Sequence, residues 1–293
     1  MGRFSKILAR RTRALREAAA RAIGWKPARG RGPQPYFYLG PNLALTRLES
    51  GHALYVDPQD DEISARIILR GYWEYWTTQA VLSLLKPGDR VIEVGANLGY
   101  YTVLMADRVG PTGRVTALEA NPRLAALTAR SLKINDLKHA RVLNRAALDQ
   151  PGEISFVTSR KNSGSGHVEV LLVAPFEDAS VIRVEAIRLD DLGDDRVDFI
   201  RLDAEGCEPQ ILRGAFDILV RNPDIVVFTE WSVIQMESRT SVPTFIAWMQ
   251  DMGFRFWVVD KDARLIPVAT KDLAGLAHTD IVASRRPLEQ RRH

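Results

Sequence analysis

The chain is poor in reactive and metal-binding side chains: its 293 residues include one cysteine and five histidines. A single thiol, Cys207, cannot build an intrachain disulfide framework, and such scarcity fits a reducing cytosol. The histidines are scattered and give no zinc-ligand spacing. No apolar run approaches the roughly 20 residues that span a bilayer. No apolar segment follows the basic N-terminus either, so no secretory leader is expected and a cytoplasmic protein is. The dinucleotide fingerprint G-x-G-x-x-G is missing as well. With its first glycine on Gly95, the second position holds Asn97 and the third Tyr100.

What is present is an ordinary globular composition, 46% hydrophobic and 26% charged, with an uneven distribution of charge. Residues 1–33 carry ten Lys/Arg against one acid, Glu17. That segment is +9, so with +4 overall the remainder is −5. An acidic body argues against a nucleic-acid partner. The leader is rich in Ala, Leu and Arg, and Phe4, Ile7, Leu8, Leu15, Ala18, Ala22 and Ile23 approximate one apolar stripe. A helical basic arm is expected, closed by the linker "KPARGRGPQP". Its role stays open between a helix packed on the body or a solvated tail, and a basic surface touching anionic lipid, as a peripheral membrane contact, or an acidic partner.

Residues 36–70 read as a small cap of short strands and turns, and 71–86 as an aromatic-led helix. Beyond them strands and helices alternate: "RVIEVGA", "YYTVLMADRV", "RVTALEA", "PRLAALTARSLKIN", "ARVLNRAAL". A strand-rich insertion spans about 152–192. Alternation resumes with "VDFIRLDA", "EPQILRGAFDILVR", "DIVVFTEW", "PTFIAWMQDMG" and "FRFWVVD", and "TDIVASRR" supplies a last strand. Near-continuous Val, Ile and Leu in the early strands marks burial on both faces of a mostly parallel sheet. The pattern is a doubly wound α/β fold. Ligands of such folds lie beyond the carboxyl ends of the strands.

The turn "RVIEVGANLGYYT" ends the first of those strands. Its spacing is G-x-G-x-G with Asn97 at the middle position, between Gly95 and Gly99, and Glu93 two residues upstream. This resembles motif I of the S-adenosylmethionine-dependent methyltransferases. Glycines let backbone approach a ligand, and Glu93 could act through charge near an ammonium group. Glu119, at the tip of the second strand, can accept both hydroxyls of a ribose. Adenosine cofactors in general ask for that acid, so Glu119 gains meaning from the turn beside it.

Further motifs extend the resemblance. "VIEVGANLGYYT", "ALEANPRLAALTARSLKIN", "NRAALDQPGEISF", "LDDL" and "VDFIRLDAEGCEPQILRGA" together resemble the FkbM family of methyltransferases, from about Gly71 to Glu230. Arg201 stands where that family usually has lysine. The resemblance implies a Rossmann-like class I methyltransferase fold with a seven-stranded sheet, occupying residues 71–286 before a short tail, 287–293. It implies methyl transfer from S-adenosylmethionine, commonly to an oxygen of a small molecule, sugar, glycan or polyketide-like acceptor.

The candidate cofactor residues are Glu93, Gly95, Asn97, Gly99, Glu119, Asn121, Ala147 and Asp203. A hydroxyl acceptor benefits from a base, and Asp203, Glu205, Glu230 and His167 are the candidates. Trp73 or Glu74 could line the site, and Trp231 could stack on an acceptor or pack in the core. No metal ligands are expected, because the acid run Asp190–Asp198 reads as turn chemistry. Cys207 reads as inert packing. Two alternatives remain open, a non-catalytic Rossmann-like scaffold and an NAD-dependent oxidoreductase. Oligomeric state is not legible.

Overall fold

A computed structural model describes residues 35–169 and 178–288; the expected arm helix lies outside them. The chain enters through an antiparallel meander of β1 (Tyr36–Gly40), β2 (Leu43–Arg47) and β3 (Ala53–Val56), followed by α1 (Ile63–Arg70). Alternation sets its inner face: Ala44, Leu54 and Val56 are fully buried against Ile67 of α1. α2 (Tyr75–Leu84) then leads into β4 (Arg90–Val94), α3 (Tyr100–Val109), β5 (Arg114–Leu118), α4 (Pro122–Ile134) and β6 (Ala140–Leu143). α4 starts where its sequence says it should. Asn121 accepts the Arg123 N–H as N-cap, and Pro122 fills the first turn.

After β6 come β7 (Ala146–Ala147), β8 (Gly152–Thr158), β9 (His167–Val168) and β10 (Ser180–Ile187). The core resumes with β11 (Phe199–Leu202), α5 (Glu208–Arg213), α6 (Phe216–Arg221), β12 (Val226–Trp231), α7 (Val233–Glu237), α8 (Val242–Asp251), β13 (Arg255–Val259), β14 (Leu265–Val268) and β15 (Thr279–Ser284). The main sheet has the order β14-β13-β15-β12-β11-β4-β5-β6. It is parallel from β6 to β12 and antiparallel beyond. β11 alternates across it, with Phe199 in the apolar cluster of α2–α4 and Ile200 and Leu202 in that of α5–α8.

Three expectations change in detail. The sheet has eight strands rather than seven, because β14 pairs with β13 as an added hairpin strand. The single strand expected at 140–148 is two, in different sheets: β6 joins the main sheet, while β7 pairs with β10 in a four-stranded sheet ordered β7-β10-β8-β9. Between them the Asn144 amide donates to the carbonyls of Glu119 and Ala120, at 2.9 and 2.8 Å, and turns the chain. The helix expected over 208–221 breaks at Gly214, where a Cβ would lie 2.2 Å from the Leu148 carbonyl oxygen. Asp190 then accepts the N–H groups of Asp217 and Ile218 and restarts the helix as α6.

The direction of chain progress across the sheet reverses between β4 and β11. β5 and β6 lie to one side of β4, and β11 and β12 to the other. A doubly wound sheet opens its binding crevice at such a point.

Candidate active site

A cleft of about 1170 Å³, counted to its open mouth, lies over the carboxyl ends of β4, β5, β11 and β12. Its floor is the turn after β4. Gly95 there has φ of +81°, and an added Cβ would stand 1.9 Å from the Asp203 carbonyl oxygen. The glycine is thus required by the neighbouring strand end. Gly95→Ala combines a left-handed backbone with a main-chain clash, and is expected to cost on the order of 3 kcal/mol or more. Urea unfolding measures it; an unchanged midpoint would show that the β4–β11 approach is looser.

Gly99 does not line the cleft. It precedes α3 with φ of +82°, and its missing side chain admits Thr128, whose Cγ2 would lie 2.6 Å from a Cβ. Its role is close approach of α3 and α4, a correction to the expected cofactor contact. Asn97 lines the cleft from a left-handed position of its own, with φ of 50°.

Glu119 is 5% exposed and lines the cleft. One carboxylate oxygen accepts the Asn97 N–H at 2.6 Å and the other accepts the Asn121 N–H at 2.8 Å. Burial nevertheless outweighs these bonds and pushes its pKa up to about 7. Asn121 and Ala147 line the same end, with Phe156 and Thr158 of the insertion opposite. The Asn121 amide donates to Thr158 Oγ1 at 2.7 Å.

Glu93 has another task than the one expected. It is fully buried below the cleft, accepts the Thr102 hydroxyl at 2.5 Å and faces the Arg201 guanidinium at 3.5 Å. Arg201 also donates to Asp203 at 2.9 Å and lies 3.8 Å over the Tyr101 ring. In the parallel register Arg201 and Glu93 are direct partners. The arginine ties a buried acid to a cleft acid, and its stacking on Tyr101 suits a guanidinium. Tyr101 in turn donates its hydroxyl to Glu74 at 3.0 Å. Glu74 and Trp73 both line the cleft, and burial, with Asp203 second, pushes Glu74 up to about 7.

The loop after β11 gathers the remaining acids. Glu208 folds back to accept the Ala204 N–H at 2.9 Å. Gly206 has φ of +93° and would carry a Cβ 2.7 Å from the Gln235 backbone. Glu205 between them is held at φ of 50° and accepts the Gln235 amide. Burial, then Asp203, pushes Glu205 up to about 8. Glu230, from β12, is pushed up to about 10 by burial and then by Asp203, Glu205 and Glu208. Asp203, Glu205 and Glu230 each place an oxygen within 4.8 Å of the others. Among the described residues this trio, not the run Asp190–Asp198, is close enough to share a cation. The run is spent on structure: Asp190 caps α6 and pairs with Arg188, Asp194 faces Arg114, and Asp198 pairs with Arg196.

Two expected site residues point elsewhere. In β9, Val168 lines the cleft and His167, one residue away on the alternate face, does not. Its Nδ1 lies 2.9 Å from the Ser165 carbonyl, so the histidine is a poor candidate for the base. Trp231 is 1% exposed, stacks on Phe245 and donates its indole N–H to the Leu273 carbonyl at 3.0 Å; it belongs to the core. Cys207 touches the cleft, but burial pushes its thiol up to about 12 and leaves it inert. The histidine that sequence reasoning passes over is His278, whose Nε2 lies 3.1 Å from Glu230. Its signal was positional: it precedes β15, which pairs with β12 so that Asp280 faces Glu230.

A roof completes the cleft. Asp60 of the cap accepts both the hydroxyl and the N–H of Ser163 in the insertion, at 2.8 and 3.2 Å. Asn97 donates its amide to the Ser163 carbonyl at 2.9 Å. Cap, insertion and glycine turn therefore meet above one end of the cavity.

The model of the methyltransferase FkbM domain matches residues 93–256. The chain belongs to the FkbM methyltransferase family. The cofactor of this family's class is S-adenosylmethionine, and the matched span contains every strand tip that lines the cleft. A curated relative, the protein-L-isoaspartate O-methyltransferase of Ignicoccus hospitalis, is 41% identical over 59 residues. That match covers 20% of this chain and 28% of the relative's length. A solved FkbM methyltransferase from Methylobacillus flagellatus is 14% identical, with a TM-score of 0.45, over 74% of this chain and 52% of that one. An O-methyltransferase from Bacillus cereus, solved in complex with SAH, is 14% identical with a TM-score of 0.43, over 72% of this chain and 80% of that one.

Proposed function

We propose that this chain transfers a methyl group from S-adenosylmethionine to a hydroxyl oxygen of a small molecule, sugar, glycan or polyketide-like acceptor. The observation that carries the reading is the convergence of Asp203, Glu205 and Glu230 at the strand ends that also bear Glu119. The residues fit the cofactor chemically. Each Glu119 oxygen keeps a lone pair beyond its backbone bond, enough for two ribose hydroxyls. Ala147 and Phe156 would wall the adenine, and Asp203 and Glu74 would face the cationic end. When bound, the cofactor supplies an electrophilic methyl group on a sulfonium.

The chain's own work is alignment and proton removal. Glu230 keeps one buried oxygen without a hydrogen-bond partner, and its other oxygen contacts His278, whose side chain is 64% exposed. That gives a proton taken from an acceptor hydroxyl a route to solvent. Asp203 and Glu205 surround Glu230 with negative charge that strengthens its hold on a proton, so it serves as base in its ionised form and turnover is expected to rise with pH.

Calorimetric titration with S-adenosylhomocysteine, with NAD in parallel, tests the cofactor assignment; a panel of hydroxyl acceptors then tests transfer. Glu230→Gln is expected to lower kcat by about 10²–10⁴-fold while keeping S-adenosylhomocysteine binding. NAD binding alone would return the chain to the oxidoreductases, and cofactor binding without turnover on any hydroxyl would favour the scaffold reading.

A further inference from the structure

Exposed large apolar residues occur singly elsewhere, as at Leu69 and Ile234, but in β1 they are consecutive. Tyr36, Phe37, Tyr38 and Leu39 are four consecutive large apolar residues, each between 42% and 62% exposed. The strand is the outer member of the meander and pairs with β2 alone among the described strands. Its Cα partners are Thr46, Leu45 and Ala44, so successive side chains lie on opposite faces. Among the described residues neither face of β1 is buried. Exposed edges of this kind invite association, and proteins ordinarily blunt them with charge, proline or a covering element. A run of four exposed apolar side chains is a fault unless it has a use.

We propose that β1 is a membrane-docking edge that seats its aromatic side chains in the headgroup region of an anionic bilayer. Three observations point there. Tyrosine suits a boundary where one end of the ring is apolar and the other wet, and two of the four residues are tyrosines. The segment that runs directly into β1, residues 1–33, carries ten Lys/Arg and one acid. Clustered cations beside an apolar anchor are the two signals that together hold a protein on an anionic leaflet. The rest of the chain is −5, so the attraction to such a leaflet is confined to residues 1–33, which adjoin β1 in sequence.

A second copy of the chain is a poorer occupant. Association of two copies would bring together two chains that each carry +9 in the residues preceding β1, a repulsion that an anionic surface does not impose. Among the described residues no helix is long and apolar enough to cross a membrane, so the contact proposed is with the surface.

The test is co-sedimentation of the full chain with vesicles of phosphatidylcholine alone, or with about one-third phosphatidylserine. It is repeated at high salt and with Phe37→Ser/Leu39→Ser, exposed positions outside the active cleft. The full chain is expected to sediment with the anionic vesicles only and to be released by salt. The double variant is expected to bind those vesicles about tenfold more weakly or worse. Its S-adenosylhomocysteine binding is expected to match the parent, which separates a folding defect from a docking defect. Three results would overturn the proposal. The full chain could ignore anionic vesicles, as it would if the arm folded back over β1; the double variant could bind them undiminished; or light scattering could show a dimer that the double variant loses.

Discussion

Glu119→Gln is expected to weaken S-adenosylmethionine binding by about 100-fold or more at pH 8. The parent acid, pushed up to about 7, is there mostly ionised. Its two oxygens accept the Asn97 and Asn121 N–H groups at the wall of the cleft, and each keeps a lone pair for a further donor. Hydrogen bonds to a charged acceptor are worth about 1.5–3 kcal/mol each, so losing the charge at a two-hydroxyl contact reaches that factor. The amide also points an NH₂ group at one of the two backbone donors, so some loss of thermal stability should accompany the binding defect. Calorimetry separates the two, because at a temperature well below Tm only binding is read. A variant that binds within threefold of the parent would remove Glu119 from the cofactor contact.

The second large effect is a fall in the stability of the cofactor-free protein as pH rises from about 5.5 to about 8.5. Glu74, Glu93, Glu119 and Glu208 are pushed up to about 7, Glu205 to about 8 and Glu230 to about 10, each chiefly by burial. A folded-state pKa above the unfolded one means the folded protein binds more protons. The stability linked to those protons is complete below about 4.5 and drains away as pH rises through the raised values. Asp107, Asp178 and Asp260 shift downward and act only below this window. The same argument distinguishes two ligands. S-adenosylmethionine carries a sulfonium and S-adenosylhomocysteine does not, so the former is expected to raise Tm by more, and increasingly so toward pH 8.5. Scanning calorimetry across that range measures both. A flat Tm, or equal shifts from the two ligands, would show that the acids are solvated and the cleft holds no concentrated negative field.

The acids at the strand tips were legible because two simple rules meet there. Buried parallel strands read as apolar runs, and such sheets present their ligands with the residues that follow. Glu119, Asp203, Glu205 and Glu230 all come from that reasoning, as does the glycine turn. Contacts between chain-distant positions were not legible. Nothing near Glu93 in the chain announces that Arg201 will lie across from it, since that depends on which strand neighbours β4. The same register decides that Gly95 serves the Asp203 carbonyl. His167 failed for a shorter-range reason: β9 is a strand, so adjacent residues alternate faces, and Val168 took the cleft. His278 was hidden by distance from every motif and is brought to Glu230 by an antiparallel pairing that hydropathy does not specify.

The bonds between Asp60 and Ser163 join residues 103 positions apart, and the acids beneath them arrive later still, up to Glu230. A ribosome making this chain delivers Asp60 of the roof first, the glycine turn next, then Ser163, and the proposed base last. The proposed catalytic site is therefore complete only once β12 has been made. Fragments ending before β12 would carry the glycine turn and most of the cleft lining and still lack the proposed base, Glu230.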